Sequence, residues 1–156
     1  MHTASAAPAG HLSASPWSHH DDAGHDDASL ARLVAACRDV GGLALGDDLA
    51  RQLESRGTGD VASLARQVVA GELIAFEWRG AMWLPLFQFE ADGLGLRPAL
   101  RPVLAELASH FDGTRLAAWF VEPNAWLDEQ RPIDWLDARP AEVLQAARAD
   151  RFVASC

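Results

Sequence analysis

The densest group of side chains that could do chemistry lies near the N-terminus, where histidine and aspartate alternate within a short segment. Its members are His19, His20, Asp21, Asp22, His25, Asp26 and Asp27. Imidazoles and carboxylates bind Zn²⁺, Ni²⁺ or Cu²⁺, and the three histidines would be the nitrogen ligands. The segment lacks the apolar residues that would hold these ligands in a fixed geometry. We therefore predict a polar arm without a metal, and a functional metal site is the alternative.

No recognised enzyme motif is present in the chain. A phosphate-binding P-loop, a G-x-S-x-G nucleophile turn, an H-E-x-x-H zinc motif and the kinase motifs are all missing. His110 is the one histidine outside the N-terminal arm. No nucleophilic residue is paired with it, so it is a poor candidate for a general base. The adjacent Asp47 and Asp48 suit the positive end of a helix dipole. We predict that the protein is not an enzyme and needs no cofactor.

The charge balance disfavours nonspecific binding to nucleic acid. The 156 residues include 13 basic and 22 acidic side chains, which gives a formal net charge of -9. Every basic residue is arginine, so a local arginine patch could still contact DNA. Cys37 and Cys156 form no C-x-x-C pair, and Cys37 falls on the apolar stripe of a predicted helix. We predict that Cys37 is a small buried hydrophobic residue.

Hydropathy predicts a protein that neither crosses a membrane nor enters the secretory pathway. No apolar run approaches the roughly 20 residues of a membrane span. The N-terminus also lacks the basic and apolar regions of a secretory signal. We therefore expect a cytoplasmic protein.

Composition and periodicity divide the chain into three predicted parts. Residues 1–28 form a disordered arm rich in His and Asp, residues 29–90 a helical domain with a β-hairpin, and residues 91–156 a helical C-terminal domain. The hairpin is predicted from two aromatic-rich runs, Glu72–Arg79 and Met82–Glu90, on either side of Gly80. Pro85 places the second strand at an edge or bends it there. The predicted fold class is mainly α with one central β-hairpin, an α+β protein.

Two of the predicted helices and the hairpin could form a winged helix-turn-helix. Leu45–Arg56 and Asp60–Ala70 flank a glycine-containing turn, and Glu72–Glu90 would be the wing. The available phosphate or base contacts would be Arg56, Arg66, Gln67 and Arg79. Acidic residues at the helix starts and the absence of a dense arginine cluster count against DNA binding. Helix pairs of this kind also occur for packing reasons alone.

The C-terminal third carries large aromatic residues that allow two interpretations. They are Trp119, Phe120, Trp126, Trp135 and Phe152. They could form a core beneath the hairpin, or some of them could be exposed anchors for a protein partner. Tryptophan and arginine dominate the energetically important positions of protein interfaces.

Two segments resemble the MbcA/ParS/Xre-like antitoxins. The run from Gly71 to Glu90 is similar to the "G-E-L … P-x-F-Q-F" hairpin of that family. Downstream, the family's "W-L … P-N-x-x-L-x-G-x-x-P-x-x-L-L" signature resembles Trp119-Phe120, Pro123-Asn124-Ala125-Trp126-Leu127, Arg131-Pro132-Ile133-Asp134 and Trp135-Leu136. The residues Asp128-Glu129-Gln130 stand where the family often has a glycine turn. The resemblance covers roughly residues 64–153.

The resemblance implies the antidote of a toxin–antitoxin pair. Its partner would be a RES-domain toxin that consumes NAD, and the C-terminal domain would cover the active-site cleft of that toxin. The toxin-binding residues implied by motif position are Trp126, Leu127, Arg131, Pro132, Trp135, Leu136, Arg148, Arg151 and Phe152. Many members repress their own operon, so operator DNA is a possible second partner. A homodimer or a toxin–antitoxin hetero-oligomer is expected. The alternative is a small DNA-binding regulator whose C-terminal helices dimerise.

Overall fold

A computed structural model describes the backbone of residues 20–91 and 95–156, and the side chains from residue 27 onward. The described residues form seven α-helices and a three-stranded antiparallel sheet. This confirms the predicted α+β class. The elements in chain order are α1 (His20–Cys37), β1 (Leu43–Leu45), α2 (Gly46–Ser55), α3 (Val61–Val69), β2 (Phe76–Trp78), β3 (Ala81–Pro85), α4 (Leu100–Leu107), α5 (Gly113–Val121), α6 (Pro132–Trp135) and α7 (Pro140–Ala154).

Helix α1 begins earlier than the sequence pattern predicts. Residues 20–28 belong to the helix, so the prediction of a disordered arm is wrong for them, and residues 1–19 lie outside the described part. Leu30, Leu33 and Cys37 anchor the second half of the helix in the core. Each residue added to an existing helix gains a hydrogen bond, so an anchored helix extends easily into a polar segment.

The sheet contains the predicted hairpin and one strand that the pattern did not indicate. Strands β2 and β3 are joined by Arg79 and Gly80, both with positive φ angles (50° and 74°), which is the conformation of a tight two-residue hairpin turn. Strand β1 pairs with the other side of β3, so β3 is central rather than at an edge. Pro85 ends β3, and the chain turns there into a 3₁₀ turn. The sequence allowed either an edge strand or a bend at Pro85, and the structure has the bend.

Gln88, in the "F-Q-F" segment after β3, is fully buried and holds the chain that enters β2. Its Oε1 accepts a hydrogen bond from the Ile74 backbone N–H at 2.8 Å. Its Nε2 donates to the carbonyl oxygens of Ile74 and Pro85, both at 2.9 Å. One side chain thus satisfies three backbone groups that have no ladder partner in the sheet, and this offsets the cost of burying an amide.

The hydrophobic residues pack in two clusters of unequal size. The larger cluster combines α1, the hairpin, α4, α5, α6 and α7, so it draws residues from both predicted domains. Cys37 is completely buried in it, as predicted, and burial raises the pKa of its thiol to about 11. The smaller cluster joins α2 and α3 to the sheet through Leu73 and Leu84. No helix among residues 20–91 and 95–156 has the length and apolar content of a membrane span.

Candidate protein-interaction site

The candidate site is built on a short loop that follows α5. Glu122 and Pro123 end that helix, and Asn124 begins a 3₁₀ turn formed by residues Ala125–Leu127. The Asn124 Oδ1 accepts a hydrogen bond from the backbone N–H of Trp126 at 2.9 Å. This Asx-type cap positions the backbone of Trp126 at the molecular surface.

The same loop closes through two non-glycine residues with positive φ angles. Asp128 has a φ of 53° and Glu129 a φ of 59°, in the left-handed region that glycine adopts most easily. The turn is closed by hydrogen bonds between the backbones of Asn124 and Gln130, and from the Glu129 N–H to the Asn124 carbonyl. Asp128 and Glu129 therefore hold the turn conformation at some cost in backbone strain.

Asp150 on α7 gathers three hydrogen-bond donors from this loop and from α5. Its Oδ2 accepts from Trp119 Nε1 at 2.7 Å and from Asn124 Nδ2 at 2.9 Å. Its Oδ1 accepts from Trp126 Nε1 at 2.8 Å. Hydrogen bonds to an ionised carboxylate are stronger than neutral ones. One carboxylate thus fixes the loop and its exposed indole to the last helix.

The Trp126 ring lies on an otherwise open face of α7. The side chain is 58% exposed, and a groove of about 320 Å³ separates it from Ala141, Glu142, Gln145 and Ala146. Phe152 and Val153 follow Gln145 and Ala146 by seven residues, so they continue the same face, with exposures of 70% and 62%. We name Trp126, Phe152 and Val153 the α7 apolar surface.

Arg148 and Arg151 also lie on α7 and share one carboxylate. The Nε of Arg148 contacts Glu106 Oε1 at 2.9 Å, and Nη1 of Arg151 contacts Glu106 Oε2 at 2.5 Å. Glu106 extends from α4 and its side chain is 16% exposed, whereas each arginine side chain is 47% exposed. The hydrogen bond from Arg148 and the charge of both arginines hold the pKa of Glu106 below its ordinary value. The pair is fixed in place while much of both guanidiniums faces solvent.

The other residues implied by the resemblance have contacts within the chain. Leu127, Pro132 and Leu136 are buried. Trp135 is half-buried, and the Arg139 guanidinium lies 4.4 Å from its ring centroid. Arg131 donates two hydrogen bonds to Asp39, at 3.1 and 3.0 Å, and two to Asp134, both at 2.8 Å. The Arg131 pKa is raised and the Asp39 pKa is lowered by this bonding.

The aromatic residues divide between the two interpretations that the sequence allowed. Trp119 and Phe120 belong to the core, where their rings meet edge to face with centroids 5.0 Å apart. Trp126 and Phe152 are exposed.

The residues predicted to contact DNA lie in and around α2, α3 and the hairpin turn. Arg56 follows α2, and Arg66 is exposed in the last turn of α3 with Gln67 half-buried beside it. Arg79 at the turn of the hairpin contacts Asp27 at 3.2 Å and lies over the Trp78 ring at 4.4 Å. Its guanidinium therefore contacts α1 and the hairpin, although the side chain is 68% exposed. Helix α1, strand β1, helices α2 and α3 and the β2–β3 hairpin follow one another in this order.

Three acidic residues at these contacts were missed by the sequence reasoning. Asp39, Glu106 and Asp150 each lie 24 or more residues from the partners that they bind. The spacing of Glu106 and Asp150 on their helices resembles that of ordinary solvated carboxylates. A signal for them would require knowing which helices pack together.

No metal site is apparent in the described part of the chain. Within it, no three His, Cys, Asp or Glu side chains come close enough to hold a metal ion. His19 and the side chains of His20–Asp26 lie outside the described residues, so the predicted absence of a metal there stays a prediction. Comparisons with family models, with curated proteins and with solved structures give no match to this chain.

Proposed function

We propose that this chain is the antitoxin of a toxin–antitoxin pair and neutralises a RES-domain, NAD-consuming toxin by stoichiometric binding. The observation that carries the proposal is the α7 apolar surface, where an exposed tryptophan is held in place by Asp150. The surface lies within the segment that resembles the antitoxin signature. We also propose that the pair is cytoplasmic and that the antitoxin is dimeric alone or in the complex.

The chemistry of this surface suits a protein partner. Tryptophan and arginine are enriched among the residues that contribute most to binding. Here α7 and the preceding loop expose Trp126, Phe152, Arg148 and Arg151. Typical protein–protein interfaces bury about 800 Å² of surface on each partner. The exposed faces of α7 and of the preceding loop would supply part of that area. Exposed apolar groups of this size are unfavourable in water and gain stability when covered.

The structure changes which of the implied residues we assign to contact. Trp126, Phe152, Arg148 and Arg151 are exposed and become the proposed contact residues. Leu127, Pro132 and Leu136 are buried and are therefore not assigned to contact. Arg131 and Trp135 keep the loop and α6 in place through their contacts with Asp39, Asp134 and Arg139. The inhibition would be steric: this surface would cover the cleft in which the toxin binds NAD.

Co-expression with a RES-domain toxin tests the proposal. We expect the wild-type chain to restore growth and cellular NAD, and the double variant Trp126→Ala, Phe152→Ala to fail at both while remaining folded. Val69→Ala is the matched control, because Val69 is also a highly exposed aliphatic residue but lies on α3. Native mass spectrometry should show a fixed-ratio complex that the double variant does not form. Full neutralisation by the double variant would remove the proposed site.

A DNA-binding regulator is the second candidate, and the winged helix-turn-helix order of elements favours it. Arg66 in the last turn of α3 would be the accessible phosphate contact. Binding to the promoter of its own operon should then weaken on Arg66→Ala, with the slope of log affinity against log salt reduced by about one. Arg79→Ala should have a smaller effect, because Asp27 and Trp78 already occupy that side chain. Binding that is absent, or insensitive to both changes, contradicts this function.

A further inference from the structure

Trp126 is held at two points, one on its backbone and one on its ring. The backbone N–H bonds to Asn124 Oδ1, and the indole N–H bonds to Asp150 Oδ1. The other Asp150 oxygen bonds to Trp119 and Asn124, which are both buried. The carboxylate therefore faces the core with one oxygen and the exposed ring with the other.

Loss of the hydrogen bond between Asp150 and Trp126 would have a different consequence from loss of the other two Asp150 bonds. Trp119 and Asn124 would be buried polar groups without an acceptor if Asp150 were absent, so those bonds serve the fold. Trp126 is more than half exposed, and water could satisfy its indole N–H. What the third bond adds is a single orientation of the ring. A side chain that is already ordered in the free protein loses less freedom when a partner binds.

We propose that Asp150 is a positioning residue for partner recognition, which holds the Trp126 ring in its binding orientation before the partner arrives. The inference rests on the proposed function, since it assigns Asp150 a role in the same surface. Asp150 itself would make no contact with the partner and would act through Trp126.

Asp150→Asn is a selective probe of this role. An asparagine has one acceptor oxygen and one NH₂ group. If the oxygen keeps the bonds from Trp119 and Asn124, the NH₂ group faces the indole N–H of Trp126, donor against donor. The variant should therefore release the exposed ring while the buried groups keep their acceptor. Glu142→Gln is the matched control, because it removes one negative charge from the same helix and Glu142 lines the same groove without a described hydrogen bond to Trp126.

The first readout is the indole N–H resonances of the full isolated chain, measured by ¹H–¹⁵N NMR. The chain has six tryptophans, and loss of one resonance in Trp126→Phe assigns the signal of Trp126. In Asp150→Asn we expect that signal to move upfield and to exchange faster with water, while the Trp119 signal stays near its position. Glu142→Gln should leave both signals in place. An unchanged Trp126 signal in Asp150→Asn would overturn the inference.

The second readout is affinity for a purified RES-domain toxin, measured by calorimetry. We expect Asp150→Asn to weaken binding about three- to ten-fold, the scale expected for ordering one side chain. In a Trp126→Phe background, which has no indole N–H, Asp150→Asn should have no further effect. An equal loss in both backgrounds would mean that Asp150 acts by another route and would overturn the inference. Unchanged affinity of Asp150→Asn despite a released ring would do the same.

The two readouts separate failure of this inference from failure of the proposed function. If the wild-type chain does not bind the toxin, the proposed function fails, and with it the role of Asp150 in recognition. The NMR result still decides whether Asp150 orients the ring. Should Asp150→Asn fail to fold, Trp126→Phe tests the same hydrogen bond by removing its donor, the indole N–H. Its affinity should then fall further than that of Val69→Ala.

Discussion

The α2–α3 unit and the C-terminal unit from α5 to α7 both expose hydrophobic residues, but they hold them in different ways. Val69 on α3 is 89% exposed, and α3 buries only Leu64 of its nine residues. The helix is held by a local capping box between Asp60 and Ser63 and by the smaller hydrophobic cluster. In the C-terminal unit, Trp126 is bonded to a carboxylate 24 residues away.

The difference suggests how to choose between exposed apolar residues when a binding surface is sought. Exposure alone would place Val69 above Trp126. A polar network that orients an exposed ring costs conformational entropy, because its side chains must be ordered. It adds little to the stability of the hydrophobic core. A network of this kind is therefore a better indicator of a contact surface than exposure. The following predictions test that contrast, in order of decreasing effect.

The largest effect should come from shortening a buried leucine of the C-terminal unit. Leu136 has no solvent exposure and belongs to the larger cluster, so Leu136→Ala should lower the free energy of unfolding by about 3–4 kcal/mol. Leu64→Ala, in the smaller cluster, should cost about 2–3 kcal/mol, because a small cluster near the surface can relax around the cavity. Urea denaturation of both variants measures the difference. Equal losses would contradict the contrast between the two clusters.

Arg131→Ala should have an intermediate effect on stability. It removes four charge-assisted hydrogen bonds, two to Asp39 in the 3₁₀ turn after α1 and two to Asp134 in α6. Because both aspartates are largely solvated, we expect a loss of about 1–2 kcal/mol. Arg131→Lys should recover only part of it, since an ammonium group cannot bond in bidentate fashion. Thermal unfolding with Arg66→Ala as the control measures this. A stability equal to wild type would argue that Arg131 is a contact residue instead.

Acid should weaken the link between α4 and α7. The pKa of Glu106 is held below its ordinary value of 4.5 by Arg148 and Arg151, so the unfolded chain binds more protons than the native chain as the pH falls below that value. The stabilisation is therefore present above pH 4.5 and is lost as the pH falls through the native pKa. Glu106→Gln should show a shallower decline of stability between pH 5 and pH 3, measured by urea denaturation at each pH, although Asp39 and Asp60 also carry lowered pKa values. A decline as steep as that of wild type would contradict the assignment.

The smallest effect should come from Val69→Ala. The side chain is almost fully exposed, so stability should change by less than about 0.5 kcal/mol, and toxin neutralisation should remain at the wild-type level. Urea denaturation and the co-expression assay measure both quantities. A loss of neutralisation comparable with that of the Trp126, Phe152 double variant would show that α3 also carries a contact surface.

Much of the local structure could be predicted from the sequence. The helical stripes, the hairpin around Gly80 and the burial of Cys37 follow from periodicity and residue type within a few neighbouring positions. Strand β1 could not be predicted, because its three residues become a strand only by pairing with β3. The polar composition of residues 20–28 predicts disorder. In the structure they are helical, because the helix extends into them from an anchored segment.

The sequence by itself determined an α+β chain with an acidic balance, a central hairpin and aromatic residues concentrated toward its C-terminal end. Only the tertiary structure decided which aromatics are exposed and which carboxylates hold them. The physical reason is the range of the interactions. Helix periods, caps and turns depend on neighbours a few residues apart. The contacts of Asp150 and Glu106, and the contact between Arg131 and Asp39, join positions 24 to 92 residues apart, so they exist only once the helices have packed.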